Sequence, residues 1–513
     1  MSRVPKPAIV FIGFMGAGKS TALAAAREAG LETTEIDELM EADLGMPIAE
    51  AFEGHGEEGF RAREAEVVGE LLENADGGAI ALGGGSVLSE RVREALGRHV
   101  VAWLQIDAGE AWRRIEGSER PLARSEADVA ELLAVRLPLY EELADAIVPQ
   151  GDPGQVARAL PSIRALAELP PGTKLLWAAS ASGEYPAFVG RGLLGADWWP
   201  LQSRRFCVTD TSVEALYADR LEPLEARLAV DPGEGSKSIE TMEWVLAGLA
   251  TAGMTRHDHL IALGGGVVGD LAGFCGHIYQ RGVPVVQVPT SLVAQVDSAF
   301  GGKTGVDAVG GKNYIGAYHL PAAVIADTGT LASLPREELA AGFVEVLKTG
   351  LLAGGELWER ARSIDSLDPD ELDELVFACA RFKCEVVAAD ERDSGLREIL
   401  NLGHTIGHAI ETESAFRLGF GHGESVGLGL LAALRLSGAP ELRDEVRAIL
   451  AKHGLPVELG AGDTEVILDL IQRDKKRTAE GVGFVLLSEP GKPRAGQILD
   501  PDTVREAVLE LYG

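Results

Sequence analysis

The stretch IVFIGFMGAGKST, at Ile9–Thr21, decides how the first third of this chain folds. An apolar run leads into Gly13, glycine returns at Gly16 and Gly18, and Lys19-Ser20-Thr21 open the helical pattern TALAAAREAG. Strand, glycine loop and helix in that order make a P-loop. Its backbone N–H groups wrap phosphate oxygens, and the helix N-terminus adds positive potential. Lys19 is placed to bridge the outer phosphates of ATP, and the Ser20 hydroxyl to hold Mg²⁺.

Further along, the pentapeptide ALGGG occurs twice, at Ala81–Gly85 and at Ala262–Gly266. The flanks differ: SVLSE follows the first copy and VVGDLAG the second. The second copy ends the apolar run HLIAL and precedes a helical stretch, so Gly264, Gly266 and Gly269 read as a G-x-G-x-x-G nucleotide loop. The acid that would bind a ribose ~20 residues beyond such a loop is missing. The two copies are therefore not a repeat. Each uses glycine, which has no Cβ, to bring backbone close to a ligand.

Bulk properties set the limits. At ~150 residues per domain, 513 residues make three to four domains. The chain is 46% apolar and 25% charged, and its 63 glycines fall in clusters, as in a globular protein with ligand loops. A net charge of −32 argues against nucleic-acid or anionic-membrane partners, while local basic clusters keep small anionic substrates possible. Cys207, Cys275, Cys379 and Cys384 fit neither a disulfide framework nor a thiolate metal site and read as packing residues. No basic-then-apolar leader and no apolar run of ~18 residues is present, which predicts a cytoplasmic protein.

LPPGTK, at Leu169–Lys174, breaks the chain, because Pro170 and Pro171 cannot continue a helix. Three parts follow: an α/β P-loop unit over 1–170, an α/β part over 173–333, and a mostly α-helical part over 334–513. In the second part, Lys303 and Lys312 sit in glycine-rich loops suited to phosphates. In the third, Glu345, His404, His408 and His422 are metal-ligand types. By spacing alone, His404 and His408 share one helix face and both qualify as ligands. His257, His259, His277, His319 and His453 lack motif support and read as structural or solvated.

Residues 7–168 resemble shikimate kinase. The resemblance rests on the P-loop, TTEIDELME, GFRAREAEV, LGGGSV, ERPL and RLPLYEELA, in that order. It implies a P-loop kinase fold, a parallel sheet with helices. Gly16, Gly18, Lys19, Ser20, Thr21 and Arg114 would hold ATP and Mg²⁺, and Arg120 would stabilise the transferring phosphoryl group. Asp37, Arg61, Gly83, Gly84, Gly85 and Arg136 would hold shikimate. Guanidinium forks suit a small carboxylate, and positive charge suits the γ-phosphate. Glu35 stands where the family has the first Asp of its Asp-x-Asp pair.

Residues 173–513 resemble 3-dehydroquinate synthase through PGEGSKS, the second glycine loop, QVPTSLVAQVDSAFGGKTGVDAVGGKNYIGAYHLP, GFVEVLK, DERDSGLR, LREILNLGHTIGHAIE, GHGESVGLG and RDKKRTAEG. The resemblance implies a Rossmann-like NAD part and a helical metal part. Glu345, His404 and His422 would hold zinc or cobalt, and His408 would face the substrate phosphate instead. NAD⁺ would lie on Gly266, Val267, Val268, Gly269 and Asp270, helped by Glu234, Lys237, Thr290, Ser291, Lys303 and Lys312. Arg281, Lys303, Lys312, Asn313, Lys383, Arg397, Asn401, His408 and one of Lys475 and Lys476 would surround the heptulosonate phosphate. Asp297, Lys303, Lys348, Arg397, Asn401 and His408 would serve catalysis. Asp393 replaces the family's usual Glu, and Ser291 the second Thr of a Thr-Thr pair.

The combined expectation is two enzymes of aromatic amino-acid biosynthesis on one chain, a homodimer through the synthase part, acting on small molecules. The rivals are another sugar-phosphate cyclase or a polyol dehydrogenase at the C-terminal side, and a nucleotide-binding regulatory module at the N-terminal side. Lys303, Lys312 and Arg397 argue against the dehydrogenase. Retention of Lys19, Asp37, Arg61, Arg120 and Arg136 argues against the regulatory module.

Overall fold

A computed structural model of the chain describes residues 6–117, 125–152, 154–195, 197–308, 311–414, 419–460, 462–473 and 481–512, with the side chains of 311 and 312 excepted. Chain contacts divide it into two compact units. The first holds residues 1–178 with two short stretches between 186 and 200, and the second holds the rest.

In the first unit, β1 (Ile9–Ile12) runs through the glycine loop into α1 (Lys19–Glu28). Then come β2 (Thr33–Glu35), α2 (Ile36–Leu44), α3 (Ile48–Asn74), β3 (Ala79–Ala81), α4 (Glu90–Leu96) and β4 (Val100–Gln105). After them follow α5 (Ala108–Ile115), α6 (Glu126–Leu143), β5 (Ala146–Pro149), α7 (Gln155–Ala165) and β6 (Lys174–Ser180). The strands pair in parallel in the order β2-β3-β1-β4-β5-β6. The four residues of β1 and the first five of β4 are buried, as expected of strands covered by helices on both faces. Strand order reverses at β1, so the loop beyond its carboxyl end opens at the switch point where such sheets bind ligands. LPPGTK leads directly into β6, whose Leu175 and Leu176 pair with Ala146 and Ile147.

Next comes β7 (Gly183–Gly190). The second unit then has β8 (Arg205–Asp210), α8 (Thr211–Tyr217), β9 (Ala226–Val230), α9 (Ile239–Thr251), β10 (His259–Gly264), α10 (Gly266–Ile278) and β11 (Val285–Pro289). β12 (Lys303–Ala308) and β13 (Gly311–Tyr318) form an antiparallel ribbon, and β14 (Ala323–Asp327) returns to the sheet, whose parallel order is β14-β11-β10-β8-β9. The helical part follows: α11 (Arg336–Ala353), α12 (Gly355–Ser363), α13 (Pro369–Ala389), α14 (His404–Ser414), α15 (His422–Leu436), α16 (Pro440–Lys452) and α17 (Thr464–Gln472). The hairpin β15 (Gly483–Leu487) and β16 (Pro493–Ile498) interrupts it before α18 (Pro501–Leu509). Sequence reading passed over that hairpin, because a five-residue apolar run such as GFVLL has no period that separates strand from helix.

The crossing of α11, α14 and α15 positions the metal-type residues. A Cβ on Gly429 would overlap the Gly403 carbonyl oxygen and lie 2.8 Å from Gly407 N. One on Gly423 would lie 2.5 Å from Ala341 Cα. Glycine at both points lets backbone meet backbone, so Glu345 of α11 and the first residues of α14 and α15, His404 and His422, converge. Around them pack Phe343, Val344, Leu347, Ile406, Ile410, Val426 and Leu430, all buried. No helix among the described residues is long and apolar enough to cross a membrane.

Candidate functional site

Each unit carries one candidate site. In the first, a cavity of about 1020 Å³ is lined by the P-loop, Glu35, Asp37, Phe52, Phe60, Arg61, Glu64, Gly83–Gly85, Arg114 and Arg136. Lys19 Nζ donates to the carbonyls of Gly13 (2.9 Å) and Phe14 (3.0 Å), which holds it across the loop. Ser20 donates its hydroxyl to Glu35 Oε1 at 2.5 Å. The extra methylene of Glu35 thus reaches the Ser20 hydroxyl, and the pair forms an oxygen-rich edge suited to Mg²⁺. Arg114 donates to Gly16 O (3.1 Å) and Gln150 O (3.2 Å), so it lies along the nucleotide loop.

The opposite wall is cationic. Arg136 is buried, with its guanidinium 5.6 Å from the Phe14 ring centroid. Arg61 lies beside the Phe52–Phe60 ring pair, 5.6 and 5.5 Å from their centroids, and donates to Glu64 at 2.6 Å. A Cβ on Gly85 would stand 2.5 Å from the Arg61 guanidinium carbon, so glycine is what admits that arginine. Burial pushes the Tyr140 hydroxyl up to about 12, and that hydroxyl donates to Gly84 O at 2.6 Å. Glu64 was not singled out in the sequence. It is buried, accepts from Arg61 and from Ser86 Oγ (2.8 Å), and ties the arginine to the glycine triplet. Arg120 lies outside the described residues.

In the second unit, the second glycine loop starts α10. Gly265 is its extended N-cap, and its backbone passes Ser291, whose Oγ would lie 3.3 Å from a Cβ there. A Cβ on Gly266 would lie 3.1 Å from Ser298 Oγ. Val267, Val268, Gly269 and Asp270 form the first turn. Lys237, 5% exposed, pairs with Asp270 at 2.5 Å and lies 4.0 Å from Glu234. Burial raises the Asp270 carboxyl while Lys237 opposes it. Thr290 is buried at the end of β11. A glycine-lined helix N-terminus of this kind has room for a dinucleotide pyrophosphate.

The metal-type donors meet around Glu345. Its Oε1 lies 3.4 Å from His404 Nε2 and 3.5 Å from His422 Nε2, and it is buried with no hydrogen bond among the described residues. His404 Nδ1 lies 3.1 Å from Leu402 O, so the ring proton belongs on Nδ1 and the Nε2 lone pair faces the carboxylate. A lone pair and a carboxylate oxygen turned toward each other need a cation between them, and one oxygen with two imidazole nitrogens suits zinc or cobalt. Nitrogens of His404, His408 and His422 also lie within 4.8 Å of one another, so His408 borders the same point. Glu411, absent from the sequence reading, lies 3.5 Å from His422 Nδ1. Lys348, 1% exposed, pairs with Glu345 Oε2 at 2.5 Å. Burial disfavours the Glu345 charge, but Lys348, His404 and His422 outweigh it and hold the carboxyl well below its usual range.

Beside this cluster lies a set of cations. Lys383 pairs with Asp297 in the turn Ala294–Ser298. Burial raises the Asp297 carboxyl, but Lys383 and Lys348 override it and bring it down to about 2. Lys303 pairs with Asp393 at 2.5 Å. Burial lowers the Lys303 ammonium, with Arg397 and Lys383 near enough to add to it. Arg397, 1% exposed, donates to Glu391 O (2.6 Å) and Gly301 O (3.2 Å), and its Nε has no hydrogen-bond partner among the described residues. Lys383 is near enough to Asp270 to act on its charge, which links the cations to the nucleotide loop.

Some expected residues stand apart. Asn401 donates to Glu398 O at 3.0 Å within its own turn. Asn313 takes a left-handed φ of 54°, its backbone N–H donating to Asp307 at 2.7 Å. Arg281 is exposed after α10 at φ 71°, with no hydrogen bond or ion pair to the cluster among the described residues. The Lys312 side chain, Lys475 and Lys476 lie outside the described residues.

Family models match three stretches: shikimate kinase over residues 15–163, and the N-terminal and C-terminal parts of 3-dehydroquinate synthase over 227–341 and 342–477. A 3-dehydroquinate synthase from Symbiobacterium thermophilum is 43% identical over 345 residues, covering 63% of this chain and 96% of the relative. Among solved structures, a 2-deoxy-scyllo-inosose synthase complexed with carbaglucose-6-phosphate, NAD⁺ and Co²⁺ superposes with a TM-score of 0.60 at 25% identity, over 66% of this chain and 99% of that one. A 2-epi-5-epi-valiolone synthase from Streptomyces hygroscopicus subsp. jinggangensis, with NAD⁺ and Zn²⁺ bound, shares the fold at 24% identity and a TM-score of 0.57, over 65% and 99%.

Proposed function

The chain belongs to the 3-dehydroquinate synthase family and carries a shikimate kinase segment ahead of it, and on that premise we propose that it catalyses two reactions of the shikimate pathway. One is ATP- and Mg²⁺-dependent phosphorylation of shikimate to shikimate 3-phosphate. The other is NAD⁺- and metal-dependent conversion of 3-deoxy-D-arabino-heptulosonate 7-phosphate to 3-dehydroquinate and phosphate. The kinase would occupy 1–170, the NAD part 173–333 and the helical metal part 334–513. A homodimer through the synthase part belongs to the same proposal.

One observation carries the synthase half. Lys348, paired with Glu345 of the donor set, and Lys383 both act on Asp297, and Lys383 also acts on Asp270 of the nucleotide loop. Substrate anions, metal and nicotinamide can then share one pocket, as hydride transfer to and from a single carbon requires. When bound, the metal polarises the substrate oxygen and the nicotinamide takes up and returns a hydride. The chain's own residues supply the rest. Lys303, Lys383 and Arg397 would hold the substrate's anionic ends, and Asp297 would keep Lys383 oriented. His408, at the border of the metal donors, would face the departing phosphate.

In the kinase half, Arg61 and Arg136 would hold the shikimate carboxylate, and Asp37 would orient its hydroxyls. Lys19 would draw charge from the γ-phosphate, and Arg120 would complete that field. The test is direct. The purified chain should release ADP only when shikimate is present, and phosphate from heptulosonate phosphate only with NAD⁺ and zinc or cobalt. Lys19→Ala should silence the first activity alone. Phosphate release from other sugar phosphates but not from the heptulosonate would make the second half a sister cyclase. ADP release independent of shikimate would refute the kinase reading.

A further inference from the structure

We propose that Asp390 is a positioning residue of the synthase site, setting the loop from Asp390 to Arg397 so that Asp393 orients Lys303, and Arg397 is presented, toward the anionic substrate. The inference rests on the synthase reading above. Asp390 caps the C-terminal end of α13, the helix that carries Lys383. Its carboxylate accepts the backbone N–H of Ser394 at 3.0 and 2.9 Å, of Gly395 at 2.8 Å and of Arg397 at 3.1 Å, and the Ser394 hydroxyl at 3.0 Å. One side chain thus gathers three backbone donors, those of Ser394, Gly395 and Arg397, and a hydroxyl from the loop that follows it. Such charge-assisted bonds are stronger than neutral ones, and here they bring the Asp390 carboxyl down to about 2.

The loop so closed has two working ends. At one, Asp393 takes a left-handed φ of 61°, which a non-glycine residue keeps only when its surroundings impose it. From there it meets Lys303 at 2.5 Å, and its Oδ1 is buried without a partner. At the other, the backbone of Arg397 is fixed by Asp390 while its guanidinium is aimed at Gly301 O and Glu391 O. The outer side of the loop is anchored separately, by Glu391 accepting Ser182 N and Ser182 Oγ, both at 2.7 Å. Among the described residues the hydrogen bonds of the Asp390 carboxylate all go to this loop, and none goes to the nucleotide loop or to the metal-type donors. Its loss should therefore act on substrate affinity and spare the cofactors.

The experiment compares the full chain with Asp390→Asn, which keeps one acceptor, and Asp390→Ala, which keeps none. Calorimetry on metal-depleted protein with NAD⁺ present reads heptulosonate phosphate binding without turnover. The Asn variant should bind about 10-fold more weakly and the Ala variant more weakly still. KM should rise in the same order while kcat changes less, with NAD⁺ affinity and zinc affinity held and the melting temperature down by no more than a few degrees. Hydrogen exchange should quicken at Ser394, Gly395 and Arg397. Unchanged substrate affinity in both variants overturns the proposal, and so does a parallel loss of NAD⁺, zinc and thermal stability, the mark of a general structural role. If Asp390→Ala fails to fold, the Asn variant decides. If the unaltered chain binds no heptulosonate phosphate, the synthase reading falls, and inorganic phosphate becomes the titrant for the same comparison.

Discussion

Gly429→Ala should empty the metal site without touching any candidate ligand. The new Cβ would overlap the Gly403 carbonyl oxygen and lie 2.8 Å from Gly407 N and 3.0 Å from Gly403 C. Ordinary carbon contacts sit at about 3.5–4.0 Å, and the overlap with the carbonyl oxygen is the worst, so α14 and α15 must part by roughly 1–1.5 Å. Gly403 immediately precedes His404, and Gly429 lies one helix with His422, so the movement separates two donors that now both face Glu345 Oε1. Metal bonds tolerate only about 0.2 Å. Losing a mere outer partner costs about 10–100-fold in affinity, and displacing a ligand should cost at least that. The overpacking itself should take roughly 1–3 kcal/mol from the second unit's stability. The assay is zinc affinity by competition with a chromogenic chelator, with shikimate-dependent ADP release as the control on the same sample. Zinc binding and synthase turnover at the level of the unaltered chain would refute the reasoning, and would mean the crossing yields elsewhere.

Glu35→Ala should raise the Mg²⁺ concentration needed for half-maximal kinase activity, because Ser20 loses the carboxylate it meets at 2.5 Å; Glu35→Asp should be milder. Glu411→Gln should weaken zinc binding about 10-fold, measured by the same chelator competition, since Glu411 backs His422 Nδ1 at 3.5 Å. His259, buried beside Ser203 Oγ (2.8 Å), is pushed down to about 4 by burial, with Arg205 adding to it. Because its folded value lies below the unfolded ~6.5, its contribution is complete above that pH and is lost as pH falls toward 4, up to about 3 kcal/mol. His259→Gln should flatten that part of the pH dependence of the urea midpoint, and an identical acid profile would count against it.

What could be read in the chain alone follows from how local each feature is. The P-loop needs only thirteen consecutive residues, and β1 and α1 flank it as the pattern requires. The His404, His408 and His422 cluster came from short motifs, and the three do converge. Spacing alone made His404 and His408 a ligand pair, while the resemblance named Glu345 in place of His408; all four border one point in the structure. Pairs far apart in sequence were not legible. Asp297 and Lys383 are 86 positions apart, and Lys303 and Asp393 are 90 apart, so neither ion pair has a local signature. The glycines of GLG in α15 carried no meaning until a second helix was seen pressing on them. Glu64 and Glu411 stand inside the motifs GFRAREAEV and LREILNLGHTIGHAIE but received no role, because nothing in a helical pattern tells a carboxylate facing solvent from one facing an arginine or imidazole.

Lys303 and Lys383 each hold an acid before any ligand arrives. An incoming anion therefore exchanges one partner for another, and its gain is the difference between two ion pairs instead of the whole of one. Affinity is moderated on entry, and the same arithmetic runs backwards on exit. On the proposed reaction, Asp393 and Asp297 would be at hand to reclaim the ammonium groups as phosphate leaves, so departure would not leave them without a counter-ion. On that reading the acids would act as resident counter-ions that keep the product from becoming the site's tightest inhibitor.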